Sequence, residues 1–128
     1  MCDDCAPVSP RRVLVVDDDP DIRELLVTAL ADDGYIAESA QNGRDALDVL
    51  ERFDADVVVL DLMMPVMDGW TFAERMKERR AIPIVVLSAA RDLARHASQL
   101  GAADVVTKPF DLETLLPTIE RVAERDGN

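Results

Sequence analysis

RVLVVDDDPDIRELL, residues 12–26, is the stretch that decides the fold. The aliphatic run from Val13 to Val16 lacks the polar–apolar alternation of a strand with one wet face. It reads as a strand buried on both sides, of the kind found inside a parallel sheet. Three aspartates follow, and from Pro20 the apolar residues take helical spacing: Ile22, Leu25, Leu26, Ala29 and Leu30. Asp19 suits the N-cap, Pro20 the first helical position and Gly34 the stop of a helix expected over residues 20–33. A strand that passes through an acidic turn into a helix is the opening of a β-α-β unit.

The same rhythm continues outward. Residues 12–17 (RVLVVD), 35–40 (YIAESA), 57–61 (VVVLD), 84–88 (IVVLS) and 104–107 (DVVT) read as five strands, with the first, third and fourth in the sheet interior. Between and after them, Ala46-Leu47-Leu50, Phe72-Ala73-Met76, Leu93-Ala97-Leu100 and Leu112-Leu115-Leu116-Ile119-Val122 mark the buried stripes of the second to fifth helices. Pro117 is expected to bend the last helix or delay its start. The expectation is an α/β fold: a doubly wound five-stranded parallel sheet in the order 2-1-3-4-5, flanked by five helices, as in flavodoxin-like proteins.

With 128 residues the chain matches one ordinary domain, and with 48% hydrophobic but 4% aromatic residues its core must rest on aliphatic side chains. A formal net charge of −12 repels phosphate backbones and anionic membranes, so neither a nucleic acid nor a membrane is expected as a partner. No apolar run approaches the roughly 20 residues of a membrane span, and Met1-Cys2-Asp3-Asp4 has no secretory-signal character, which predicts a cytoplasmic location. Cys2 and Cys5 are the only cysteines. Without a strand–helix frame around them they read as part of a flexible tail over residues 1–10 rather than as a redox or metal pair. Residues 126–128 read as a frayed end, leaving 11–125 as the domain. The start of the chain and the lack of a linker after the last helix suggest a stand-alone protein.

In a doubly wound sheet, ligands bind at the carboxyl ends of the strands where the strand order reverses. Asp17, Asp18 and Asp19 follow the first strand and Asp61 ends the third, its neighbour in the expected order. Carboxylates brought within about 4 Å repel by roughly 4 kcal/mol at an effective dielectric near 20, and a divalent cation relieves this. All-oxygen ligands favour Mg²⁺. Asp19 is explained by capping alone, whereas Asp17, Asp18 and Asp61 point to a site. Ser88 ends the fourth strand and Lys108 follows the fifth, adding a hydroxyl and an ammonium at the same edge. A carboxylate nucleophile, a metal, a lysine and a hydroxyl donor together form a phosphoryl-transfer inventory.

On VLVVDDDPDIRELL, VVVLDLMMPVMDGW, IPIVVLSA and TKPFDLETL, in that order and spacing, the chain from about Arg12 to Ala123 resembles a response-regulator receiver domain. It is similar to the stand-alone chemotaxis and phosphorelay members. The resemblance implies Asp61 as phosphoacceptor, Asp17 and Asp18 as Mg²⁺-site acids, and the main-chain carbonyl of Met63 as a further ligand. It also implies Ser88 as the hydroxyl that binds the phosphoryl group and moves with it, and Lys108 as the partner of Asp61. It implies that the chain catalyses its own phosphorylation and dephosphorylation. The donor would be a sensor histidine kinase or histidine phosphotransfer protein, the output a downstream protein, and the state a monomer or weak homodimer. Many receivers carry Tyr or Phe as the switch residue three positions before the lysine; here that position is Val105. Met63 and Ala90, at places that influence attack of water on the acyl phosphate, are apolar.

Two rivals fare poorly. A flavin or nucleotide binder needs a Gly/Ser/Thr-rich loop after the first strand, and DDDPD is the opposite. A haloacid-dehalogenase-type phosphatase needs a second aspartate two residues after the nucleophile, where Met63 stands. The alternative that survives is a docking module with a receiver fold that works without phosphorylation.

Overall fold

The computed structural model describes residues 11–61, 71, 74–75, 82–88, 103–107 and 111–126. Strands β1 (Arg12–Val16), β2 (Ile36–Ala40), β3 (Val57–Asp61), β4 (Ile84–Ser88) and β5 (Asp104–Thr107) form one sheet in the order β2-β1-β3-β4-β5. Every neighbouring pair is parallel. β3 is buried along its whole length, β1 everywhere but at Arg12, and Ile84 to Leu87 of β4 are at most 2% exposed. These are the three strands whose aliphatic runs lack alternation, as burial on both faces requires.

Period-two geometry sorts their side chains onto two cores. Leu14, Val16, Val58, Leu60, Ile84 and Val86 pack on one face with Ala46, Leu47, Val49 and Leu50 of helix α2 (Gly43–Leu50). The alternate residues Val13, Val15, Val57, Val59, Val85 and Leu87 pack on the other face. They meet Leu26 and Leu30 of helix α1 (Pro20–Asp32) and Leu115, Ile119 and Val122 of the C-terminal helix (Leu112–Asp126). Truncating a fully buried leucine such as Leu14 or Leu26 to alanine costs about 2–5 kcal/mol through lost transfer energy and the cavity left behind.

Local chemistry starts and stops these elements. The Asp19 side chain accepts from the Asp21 amide at 2.9 Å, with Pro20 at the first helical position, where no N–H is needed. Asn42 caps α2 through the Asp45 amide at 2.8 Å, and Asp111 caps the C-terminal helix through the Thr114 amide at 2.8 Å. After α1, Gly34 takes φ +94°, a conformation that favours glycine and lets the chain reverse into β2.

Four details depart from the sequence reading. β1 ends at Val16 rather than Asp17, for reasons that belong to the site below. β2 begins at Ile36 rather than Tyr35, because the Tyr35 amide donates to Leu30 O at 3.0 Å and so closes the helix instead of joining the ladder. Leu25 is 48% exposed: it falls at the edge of the stripe centred on Ile22, Leu26, Ala29 and Leu30. Pro117 does not delay the C-terminal helix, which starts five residues earlier at Leu112. There the Thr118 hydroxyl donates to Thr114 O at 2.9 Å. The stripes read as third and fourth helices, Phe72-Ala73-Met76 and Leu93-Ala97-Leu100, lie outside the described residues.

Candidate functional site

The chain leaves β1 to form β2 on one side of it, then crosses back to form β3 on the other. The strand order therefore reverses between β1 and β3, and their carboxyl ends frame a crevice. Val16 stands beside Leu60 in the register, so Asp17 and Asp61 are the next residues on adjacent strands. Each continues the odd-numbered set of its strand.

Asp17 is 0% exposed and Asp61 4%, while Asp18 is exposed. One carboxylate oxygen from each of the three lies within 4.8 Å of the others. Between the buried pair, two ionised carboxylates at that separation repel by roughly 3–4 kcal/mol at an effective dielectric near 20. The donor set is oxygen only, is rich in charge and has one member open to solvent. It fits a hard divalent cation that keeps part of its water shell, and Mg²⁺ in particular.

The turn that holds these acids is tied at several points. The Asp17 amide donates to Ala40 O at 3.2 Å, extending the β1–β2 ladder by one bond. The Asp17 side chain then folds forward to accept from the Asp19 amide at 2.9 Å. Its carbonyl accepts from Arg23 Nη1 at 2.8 Å, so this C=O is spent on a side chain and the strand stops. Arg23 also lines a separate open cleft of about 420 Å³ with Ser39, Gln41, Asp45, Asp48 and Arg52. Nothing in a linear reading singled Arg23 out; an arginine six residues after the strand-end Asp17, early in a helix, was its only signal.

Of the other residues the sequence proposed, Ser88 ends β4 opposite Thr107 of β5, and Val105 pairs with Val86, both placed by main-chain register. Met63, Ala90 and Lys108 lie outside the described residues, as do Cys2 and Cys5. The structure thus brings together Asp17, Asp18 and Asp61 and places the strand end that carries Ser88 two strands from β1. Among the described residues no helix is long and apolar enough to cross a membrane.

The fold is that of a flavodoxin-like α/β protein, with a cluster of three aspartates at its switch point. The family model of the response regulator receiver domain matches residues 13–120, and the chain belongs to that family, the receivers of two-component signalling. It is 41% identical over 119 residues to response regulator MprA of Mycolicibacterium vanbaalenii, covering 91% of this chain and 52% of that protein. It is 35% identical over 124 residues to transcriptional regulatory protein TcrA of Mycobacterium tuberculosis, covering 94% and 49%. The chain spans about half the length of the curated relatives it matches. Among solved structures, Vibrio cholerae chemotaxis protein CheY4 superposes with a TM-score of 0.81 at 36% identity, over 89% of this chain and 99% of that one. Response regulator protein TrrA of Thermotoga maritima, in complex with Mg(2+)-BeF, gives 0.78 at 34% identity, over 88% and 98%.

Proposed function

We propose that this receiver accepts a phosphoryl group on Asp61 with Mg²⁺ present and signals through phosphorylation-dependent contacts with another protein. The donor is a phosphohistidine of a sensor histidine kinase or histidine phosphotransfer protein, or a small donor such as acetyl phosphate. The observation that carries this reading is a nearly buried Asp61 carboxylate within 4.8 Å of Asp17 and Asp18 at the switch point, in a chain of the receiver family. The Mg(2+)-BeF complex of the TrrA structure supports it by likeness.

In this reading an Asp61 carboxylate oxygen attacks phosphorus in line. The P–N bond to the donor imidazole breaks, the nitrogen keeps the electron pair, and an acyl phosphate remains on Asp61. Asp17, Asp18, Asp61 and the main-chain carbonyl of Met63 would hold Mg²⁺, which would supply neutralisation of the phosphoryl oxygens. The Lys108 ammonium pairs with the growing negative charge, and the Ser88 hydroxyl donates to one oxygen. Attack of water on phosphorus later releases phosphate and restores Asp61. The functional unit is residues 11–125, with 1–10 and 126–128 as tails, working in the cytoplasm as a monomer or weak homodimer. Its charge of −12 argues against direct nucleic-acid contact by this domain.

The test is transfer of labelled phosphate from a phosphohistidine donor to the wild type and to Asp61→Asn. The wild type takes up label and the variant does not. Label retained quantitatively on the variant moves the acceptor elsewhere. A partner that binds wild type equally with and without phosphorylation favours the docking-module alternative.

A further inference from the structure

Neighbouring residues of an extended strand point to opposite faces. Asp17 and Asp18 nevertheless send their carboxylates to one cluster, so the main chain must turn between them. The oxygen that reports this turn is the Asp17 carbonyl, since it belongs to the peptide unit joining the two residues. Arg23 Nη1 grips that oxygen at 2.8 Å from one turn inside α1, where the Arg23 amide is itself held by Asp19 O at 3.0 Å. Fixing this peptide plane fixes ψ of Asp17 and φ of Asp18, and with them the direction in which the exposed Asp18 side chain leaves the chain.

The geometry points to Arg23 as a positioning residue for the acidic site, an inference that rests on the phosphoacceptor reading above. Arg23 acts on the cation site in two opposed ways. Its positive charge, close to the cluster, disfavours a bound cation. Its grip on the Asp17–Asp18 peptide favours one, because Mg²⁺ demands near-ideal octahedral geometry and tolerates little misplacement of a ligand. We infer that the second effect dominates. A planar, directional guanidinium suits this role better than the point charge of a lysine.

The opposed signs make the inference testable on the full chain by calorimetric titration with MgCl₂, alongside melting without metal. Arg23→Met, which keeps the aliphatic stem but removes charge and donor, is expected to weaken Mg²⁺ binding about tenfold, as loss of a charge-assisted hydrogen bond implies. Arg23→Lys is expected to fall between Met and wild type. Phosphorylation by acetyl phosphate should slow at subsaturating Mg²⁺ and recover at saturating Mg²⁺, a split that a general loss of stability does not produce. If Arg23→Met fails to fold, Arg23→Lys alone decides: Mg²⁺ affinity severalfold below wild type supports positioning, and unchanged affinity overturns it. Unchanged or tighter Mg²⁺ binding by Arg23→Met, with wild type binding normally, likewise overturns it, because charge removal alone accounts for that result. A wild type that binds no Mg²⁺ overturns the site reading itself, and the inference with it.

Discussion

β1 and β3 lie side by side, and their two ends are built on opposite electrostatic plans. At the amino end, Arg12 and Asp56 answer each other. The Arg12 amide donates to Asp56 Oδ2 at 2.8 Å, the Asp56 amide donates to Arg12 O at 2.7 Å, and the Arg12 guanidinium lies 5.7 Å from the centre of the Phe53 ring. At the carboxyl end, Asp17, Asp18 and Asp61 converge with like charge. One end pairs groups that answer each other; the other gathers carboxylates, an arrangement that under the proposed function receives a cation. Under the proposed function, the contrast separates stability from function along the same two strands.

The strongest way to break this contrast is Asp61→Asn. It should lose phosphoryl acceptance entirely in a labelling assay while melting cooperatively without metal. Removing one charge from the cluster should even stabilise the metal-free domain, on the order of 1 kcal/mol. Next in size is the response to Mg²⁺. At ten times its dissociation constant the ion should stabilise wild type by about 1.4 kcal/mol, or about 4–7 °C in a thermal melt, and Asp18→Ala should abolish that rise. At the amino end the pattern inverts. Asp56→Ala should cost about 1 kcal/mol of stability by denaturant titration and leave Mg²⁺ affinity unchanged. Smallest of all, removal of residues 1–9 should change neither melting nor phosphorylation if Cys2 and Cys5 belong to a tail; a stoichiometric metal lost with them contradicts that reading.

Much of this was legible in the sequence because burial on two faces leaves an unmistakable trace. VLVV, VVVL and IVVL carry no polar position, so their place inside a parallel sheet follows from composition alone. Asp19-Pro20 and Gly34 carry their local roles with them, as cap, first turn and reversal. The convergence of Asp17, Asp18 and Asp61 was legible because a strand end in this architecture is a fixed place. Leu25 misled because helical spacing defines a stripe but not its width, and the width is settled by what packs against the helix. Tyr35 misled because a residue after a glycine turn can spend its amide on the helix behind it. Arg23 stayed hidden because its contact depends on the main-chain path of a turn, and an arginine early in a helix otherwise reads as a solvated surface residue.

Under the proposed function, the carboxyl end of β3 carries a cation-dependent phosphoacceptor at Asp61. The most direct measurement is borohydride trapping, which reduces an acyl phosphate to the alcohol and turns the acceptor aspartate into homoserine. The full chain is treated with acetyl phosphate, with and without Mg²⁺, reduced and read by peptide mass spectrometry. Homoserine at position 61 alone, present with Mg²⁺ and absent with a chelator, is the predicted result. Homoserine at position 17 or 18, or no trapped residue at any Mg²⁺ concentration, contradicts it.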